Sequence, residues 1–282
     1  KHKKELDRFR FDGPTTETVL DSFSLEQGDS VGATWAIYRV ACQLGIVTAL
    51  GNSWQGRLAL WQVIARVMDQ GSRLSAVRLA QTHSACDVLG IRRGFDENDL
   101  YANLKWLSIH QSDIEKRLFA RRYATTPPGL YLYDVTSTYL EGAKNALGAF
   151  GYNRDGKRGK LQLVIGLLCD GEGNPLSIEV FTGNTQDTRT FGAQVRKAVQ
   201  RFGADQVTFV GDRGMIKSPQ IKELAQHGFH YITAITKAQI ERLLAQNILQ
   251  MELFEDEVGE VESPAEGRRY VLRRNHVRAE EM

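Results

Sequence analysis

Two stretches, YLYDVTST (Tyr131–Thr138) and VTFVGDRGM (Val207–Met215), share one design. Each is an apolar, β-prone run that delivers a single aspartate at its C-terminal end, Asp134 in the first and Asp212 in the second. What separates them sets whether the two acids meet. Lys160–Cys169 (KLQLVIGLLC) reads as a second strand, and DGEGN turns the chain into a third, PLSIEVFTG. DTRTFGAQVRKAVQRFG is an amphipathic helix with Phe191, Val195, Ala198 and Val199 inward and Gly203 as its stop. Gln206–Val210 is the fourth strand. A helix capped by Ser218, with Pro219 in its first turn and Ile221 and Leu224 facing the core, runs to Gly228 and leads into a fifth strand, YITAI. The order β-β-β-α-β-α-β predicts an antiparallel meander followed by parallel strands, hence a mixed α/β sheet. If the first and fourth strands are neighbours, the carboxylates converge. Two acids that close repel, and a divalent cation with oxygen ligands, Mg²⁺ or Mn²⁺, relieves the repulsion.

Upstream of Thr125-Thr-Pro-Pro-Gly129 the grammar is helical, and the two prolines stop it. VGATWAIYRVACQLGIVTAL reads as one helix. Ser53 caps a second, WQGRLALWQVIARVMDQ, with Leu58, Trp61, Val63 and Ile64 as its buried stripe. A third covers SAVRLAQTHSACDVLG, and DENDLYANLKWLSIHQSDIEKRLFARRY reads as a helical pair. The basic doublets Arg92-Arg93, Lys116-Arg117 and Arg121-Arg122 read first as solvated helix faces and second as phosphate contacts.

Composition narrows the classes. The 282 residues, 42% hydrophobic and 25% charged, suit an ordinary globular protein of one large or two ordinary domains. With 36 basic and 34 acidic residues, the net charge of +2 announces no nucleic-acid partner, so any basic surface is local. Cys42, Cys86 and Cys169 lack CxxC spacing and are odd in number, which argues against a disulfide framework or a zinc site and for a reducing cytoplasm. No long apolar run predicts a membrane span. The first residue is Lys1, which suggests a fragment.

YDVTSTYLEG, GYNRDGKRGKLQLVIGLLCDGEGNPL, FTGNTQDTRTF and FVGDRGMIKSPQIKEL followed by YITAIT together resemble the DDE transposases of bacterial insertion sequences. The likeness runs from about Leu130 to Ile240. It implies a ribonuclease-H-like catalytic core at residues 126–240, preceded by a helical domain at 1–125 and followed at 241–282 by the start of a β-rich insertion. Asp134 and Asp212 take the places of the family's first two metal-binding acids. The resemblance also implies two cations about 3.5–4 Å apart clamping the scissile phosphate. Its partners would be double-stranded DNA at the element's ends and at the target, with a homodimer at paired ends, in a nucleoid-associated bacterial cytoplasm. Arg154, Lys157, Arg158 and Lys160 in the Gly-rich loop, with Arg213 and Lys217 after the second aspartate, would face DNA. An ordinary charged turn is the other reading of that loop.

The family's third acid is a glutamate on a late helix within a Tyr-x₂-Arg-x₃-Glu signature, and this sequence lacks the match. Glu241 lacks Tyr and Arg at the signature's spacing, Tyr270 and Arg273 lead to Val277, and Glu280 and Glu281 are almost the last residues. The chain therefore reads as ending before that ligand. Two alternatives stay open: a DNA-binding remnant that does not cut, and a ribonuclease-H-like nuclease of another pathway. Asn184 and Asp187 read as caps of the following helix, Glu141 as an outer partner of the acids, and His227 and His230 as incidental.

Overall fold

The computed structural model describes residues 28–152, 156, 159–249, 258–263 and 267–272. The chain divides into two units at Ile114/Glu115. In the first, α1 (Gly32–Gln43), α2 (Ile46–Leu50), α3 (Trp54–Met68), α4 (Arg73–Thr82) and α5 (Ala85–Leu89) precede the long α6 (Glu97–Arg122), which crosses the division. Three helix expectations change. The first helix breaks at Gly45, whose φ of 79° is left-handed, and the third breaks at His83-Ser84, where Ser84 has a φ of 25°. The expected pair is the single helix α6, because no Gly or Pro between Leu104 and Ile114 interrupts it. Ser53 does cap α3, accepting from the Gly56 amide at 3.1 Å. That helix buries Leu58, Leu60, Trp61 and Ile64, whereas Val63 faces solvent. Trp61 Nε1 donates to Ala76 O at 3.1 Å, and buried Gln62 donates to Asn103 Oδ1 at 2.8 Å, so the polar groups of this helical core are satisfied.

The second unit holds a five-stranded sheet: β1 (Leu130–Tyr139), β2 (Gln162–Asp170), β3 (Pro175–Thr182), β4 (Thr208–Val210) and β5 (His230–Ile232). Its order is β3-β2-β1-β4-β5, antiparallel among the first three strands and parallel from β1 through β4 to β5. This is the mixed sheet expected from the strand and helix order, and it agrees with the ribonuclease-H-like fold that the family resemblance implies. Helices α7 (Asp187–Phe202) and α8 (Ser218–Gln226) provide the crossovers, and α9 (Lys237–Ala245) follows β5. Alternation in β1 sends Tyr131, Tyr133 and Val135 to one face, where they are buried with Phe191, Val195 and Ala198 of α7, Phe209 of β4 and Leu224 of α8. The Phe191 ring meets Phe209 edge-on at 5.6 Å, and Tyr131 stacks on Phe209 at 5.4 Å. Gly203, left-handed at φ 61°, ends α7 by donating to the helix's last carbonyls. Beyond α9, β6 (Gly259–Ser263) and β7 (Arg268–Leu272) form a separate antiparallel hairpin.

Two features fix the β2 strand. The Tyr133 ring lies across Gly166, so that a Cβ there would overlap the tyrosine hydroxyl. At the strand's end Asp170 is buried and organises the turn into β3. It accepts from the Glu172 amide at 2.9 Å, the Asn174 amide and Nδ2 at 2.8 Å each, and the Tyr123 hydroxyl. Burial opposes ionisation of Asp170, and the Tyr123 and Asn174 donors outweigh it, holding the carboxyl below its ordinary value.

Substituting Gly166→Ala is expected to cost about 1–3 kcal/mol in urea unfolding, partly recovered by adding Tyr133→Phe. Asp170→Ala is expected to cost about 2–4 kcal/mol at pH 7. A depressed folded pKa contributes stability above the unfolded value, about 3.9, that is lost as pH falls through the folded one. The gap between wild type and Asp170→Ala, measured by urea unfolding, therefore narrows below about pH 4. An equal gap at pH 7 and pH 3 would contradict this account.

Candidate active site

The face of the sheet opposite α7 carries the acids. β1 pairs with β4 in parallel, Leu130 with Thr208, Tyr131 with Phe209 and Leu132 with Val210. The ladder ends at Leu132–Val210, two residues short of each acid along its own chain. The aspartates are not placed alike. Asp212 lies in the loop just after β4, as expected, but Asp134 sits inside β1, which continues to Tyr139 and there pairs only with β2. The strand is longer than its sequence suggested because Thr136, Ser137 and Thr138 continue the ladder to Leu163. Both acids line one open groove of about 570 Å³ with Leu132, Leu167, Cys169 and Val210.

Local structure aims each carboxylate outward. Asp134 Oδ1 accepts from the Val135 amide at 2.8 Å, and Asp212 Oδ1 accepts from the Arg213 amide at 2.8 Å. The Asp212 carbonyl accepts from Met215 and Ile216 at 2.9 and 3.2 Å, a tight turn anchored by those two buried side chains. Gly211 donates to Ile232 O at 3.2 Å and so extends the β4–β5 ladder up to the acid. Among the described residues, no cationic side chain pairs with either aspartate. Each keeps one oxygen for a ligand. Two hard oxygen donors lining one groove fit a divalent cation whose remaining ligands are water or phosphate. Among the described residues no group of three His, Cys, Asp or Glu is arranged to hold a metal ion.

Asp187 was read as a helix cap, and the structure corrects this. α7 begins at Asp187 itself, its N-cap position is Gln186, and no side chain caps it. A Cβ on Gly214 would lie 3.5 Å from Asp212 Oδ2 and 3.8 Å from Asp187 Oδ2, so the two carboxylates flank the same glycine. No spacing rule signals this, because α7 brings Asp187 in from the far end of a crossover. The α8 cap is likewise one residue earlier than expected, at Lys217, whose amide donates to Gln220 Oε1 at 3.3 Å.

The basic residues separate. Arg213 and Lys217 are exposed beside Asp212. Lys160 is engaged by Glu141 at 2.7 and 2.8 Å, which makes Glu141 a partner of that lysine. Arg154, Lys157 and Arg158 lie outside the described residues, as do Arg273, Val277, Glu280 and Glu281. Glu241 is on α9, 3.9 Å from Lys237, and does not line the groove. His227 stacks on Phe229 and His230 is exposed on β5. Arg93 lies over the Trp54 ring at 4.3 Å and pairs with Asp99. No helix of the described residues is long and apolar enough to cross a membrane.

A family model described as the transposase DDE domain matches residues 125–280. No curated protein matches the sequence. Among solved structures, the piggyBac transposase synaptic complex with hairpin DNA aligns over 63% of this chain at 10% identity and a TM-score of 0.33. The alignment covers 43% of that chain, so this chain spans less than half its length. The Mos1 transposase paired-end complex with left transposon end aligns over 87% of this chain and 83% of that one, at 9% identity and a TM-score of 0.27. A simian T-cell lymphotropic virus intasome in complex with a PP2A regulatory subunit aligns over 65% and 55%, at 9% identity and 0.26. At such scores the fold rests on the strand order and not on these superpositions.

Removing either charge relieves repulsion without touching the core. Asp134→Asn and Asp212→Asn are each expected to raise the melting temperature by about 1–3 °C at low salt, with the gain vanishing near 0.5 M as screening sets in. Added Mn²⁺ is expected to stabilise the wild type and neither variant. Equal Mn²⁺ stabilisation of all three proteins would separate the acids from cation binding.

Proposed function

Because the chain belongs to the DDE-domain transposase family, we propose that its second unit performs the phosphodiester chemistry of DNA transposition: strand cleavage at a mobile element's ends and strand transfer to target DNA. One observation carries this reading. Asp134 and Asp212 line one open groove, and among the described residues one oxygen of each is without a protein partner.

In this reading Asp134 and Asp212 hold divalent cations, Mg²⁺ or Mn²⁺, which when bound lower the pKa of the attacking water or 3′-hydroxyl and stabilise the leaving oxygen. The carboxylates are ligands and not nucleophiles. Their backbone hydrogen bonds keep them oriented before DNA arrives, so little reorganisation is left for the reaction. Arg213 and Lys217, exposed on the Asp212 turn and the start of α8, supply phosphate contacts that fix the strand's register. Lys160 must exchange Glu141 for phosphate before it contributes. The duplex partner, the homodimer at paired ends and the roles of Arg154, Lys157 and Arg158 belong to the same proposal.

A second reading, DNA binding without cleavage, is favoured by the incomplete donor set: among the described residues no third acid joins the pair as a metal ligand. Incubation with supercoiled plasmid and Mg²⁺ or Mn²⁺ decides between the two. Cleavage predicts nicking that falls at least about 100-fold in Asp134→Ala and in Asp212→Ala, with duplex affinity kept within about 3-fold. Tight duplex binding with no nicking supports the second reading. Nicking at the wild-type rate by the double alanine variant would overturn the site.

A further inference from the structure

At the end of β1 beyond the acids, a short segment holds two aromatic rings in water. Phe150 is 67% exposed and Tyr152 is 83% exposed, on either side of Gly151. Single exposed aromatics are common on protein surfaces. This pair differs in how firmly its backbone is held. Ala149 exchanges both hydrogen bonds with Gln162 at 3.0 and 3.2 Å, and the Gly183 amide donates to Leu147 O at 3.0 Å. The side chain of Gln162, only 2% exposed, donates Nε2 to Gly183 O at 2.7 Å and to Tyr152 O at 3.2 Å. Gly151 and Gly183 approach so closely that a Cβ on either would overlap backbone oxygen. A buried amide and two close-packed glycines thus fix a platform whose rings have not been folded away.

We infer that Phe150 and Tyr152 are a stacking platform for an unpaired base of the DNA strand that the acid groove processes. The inference rests on the proposed function and adds a contact to it. Aromatic rings in water gain from a base's π-face whatever the sequence, and a preformed platform loses little entropy on binding. The sequence that follows favours nucleic acid over an apolar partner. The chain leaves Tyr152 directly into a sequence with Arg154, Lys157 and Arg158, so cationic residues follow within a few positions. Placement suits the role as well. Gln162 pairs with Tyr139, five residues beyond Asp134 along β1, which sets the platform on the order of 17 Å from the acid, a few nucleotides from a phosphate held there.

The test uses the full chain without divalent metal, so that it is independent of cleavage. Fluorescein-labelled (dT)15 is titrated by anisotropy against wild type, Phe150→Leu, Tyr152→Leu, Phe150→Tyr and Tyr152→Phe. The leucine variants keep apolar bulk and lose the π-face. Each is expected to bind (dT)15 roughly 5- to 150-fold more weakly, with the salt slope unchanged and blunt-duplex affinity within about 2-fold. The aromatic exchanges retain binding within about 2-fold, and an oligonucleotide with abasic sites erases the difference between wild type and the leucine variants. The proposal is overturned if wild type does not bind (dT)15, if the leucine variants match wild type, or if they lose duplex and single strand equally. Because the stacking assay omits divalent metal and the nicking assay requires it, a failed nicking assay and a failed stacking assay remain separate results.

Discussion

The parallel pairing of β1 with β4 spans only three residue pairs, and the position of both aspartates depends on it. What holds so short a ladder in register is the aromatic packing beneath it. Tyr131, Phe191 and Phe209 are each fully buried, and the Phe209 ring of β4 meets both Tyr131 of β1 and Phe191 of α7. A slip of one residue would turn Phe209 to water and Asp212 toward the core, exchanging a large apolar burial for a buried charge. The apolar face and the acid face are therefore two consequences of one register.

The acids are set up to be unhappy alone. Each carboxylate has one oxygen committed to the amide that follows it, an arrangement that fixes direction without neutralising charge. Asp187, across Gly214 from Asp212, adds to the negative potential. The cations nearest in sequence, Arg213 and Lys217, extend into solvent beside the groove. A protein optimised for stability would place a basic partner between such acids. Among the described residues no basic side chain pairs with Asp134 or Asp212, the pattern expected where the counter-charge is a bound cation.

Much of this was legible because the sheet obeys simple alternation. Tyr131, Tyr133 and Val135 announce a buried face, so Asp134 has to lie on the other, and the crossover helix with Phe191, Val195 and Ala198 predicts a parallel β4, whose place beside β1 only the folded sheet decides. Where sequence reading failed, a local signal competed with a tertiary one. The Thr-Ser-Thr run after Asp134 resembles a loop until β2 is available to pair with it. Asp187 resembles a cap until the loop after β4 is folded against it. Helix breaks at Gly45 and Ser84 were hidden by apolar residues that keep helical spacing across them. The Gln162 clamp left no trace in pattern at all, since a buried glutamine in a strand looks like any polar interruption.

The acid-bearing face has one more property. Around the groove Leu167, Ile178, Val180 and Ile232 are between 41% and 56% exposed, so the aspartates stand in a field of wet aliphatic side chains. Such a surface is excluded from water more strongly as kosmotropic salt is added, while the acids that keep two copies of it apart are screened by the same ions. Ammonium sulfate will therefore favour self-association through this face, and a mild chaotrope or arginine will oppose it.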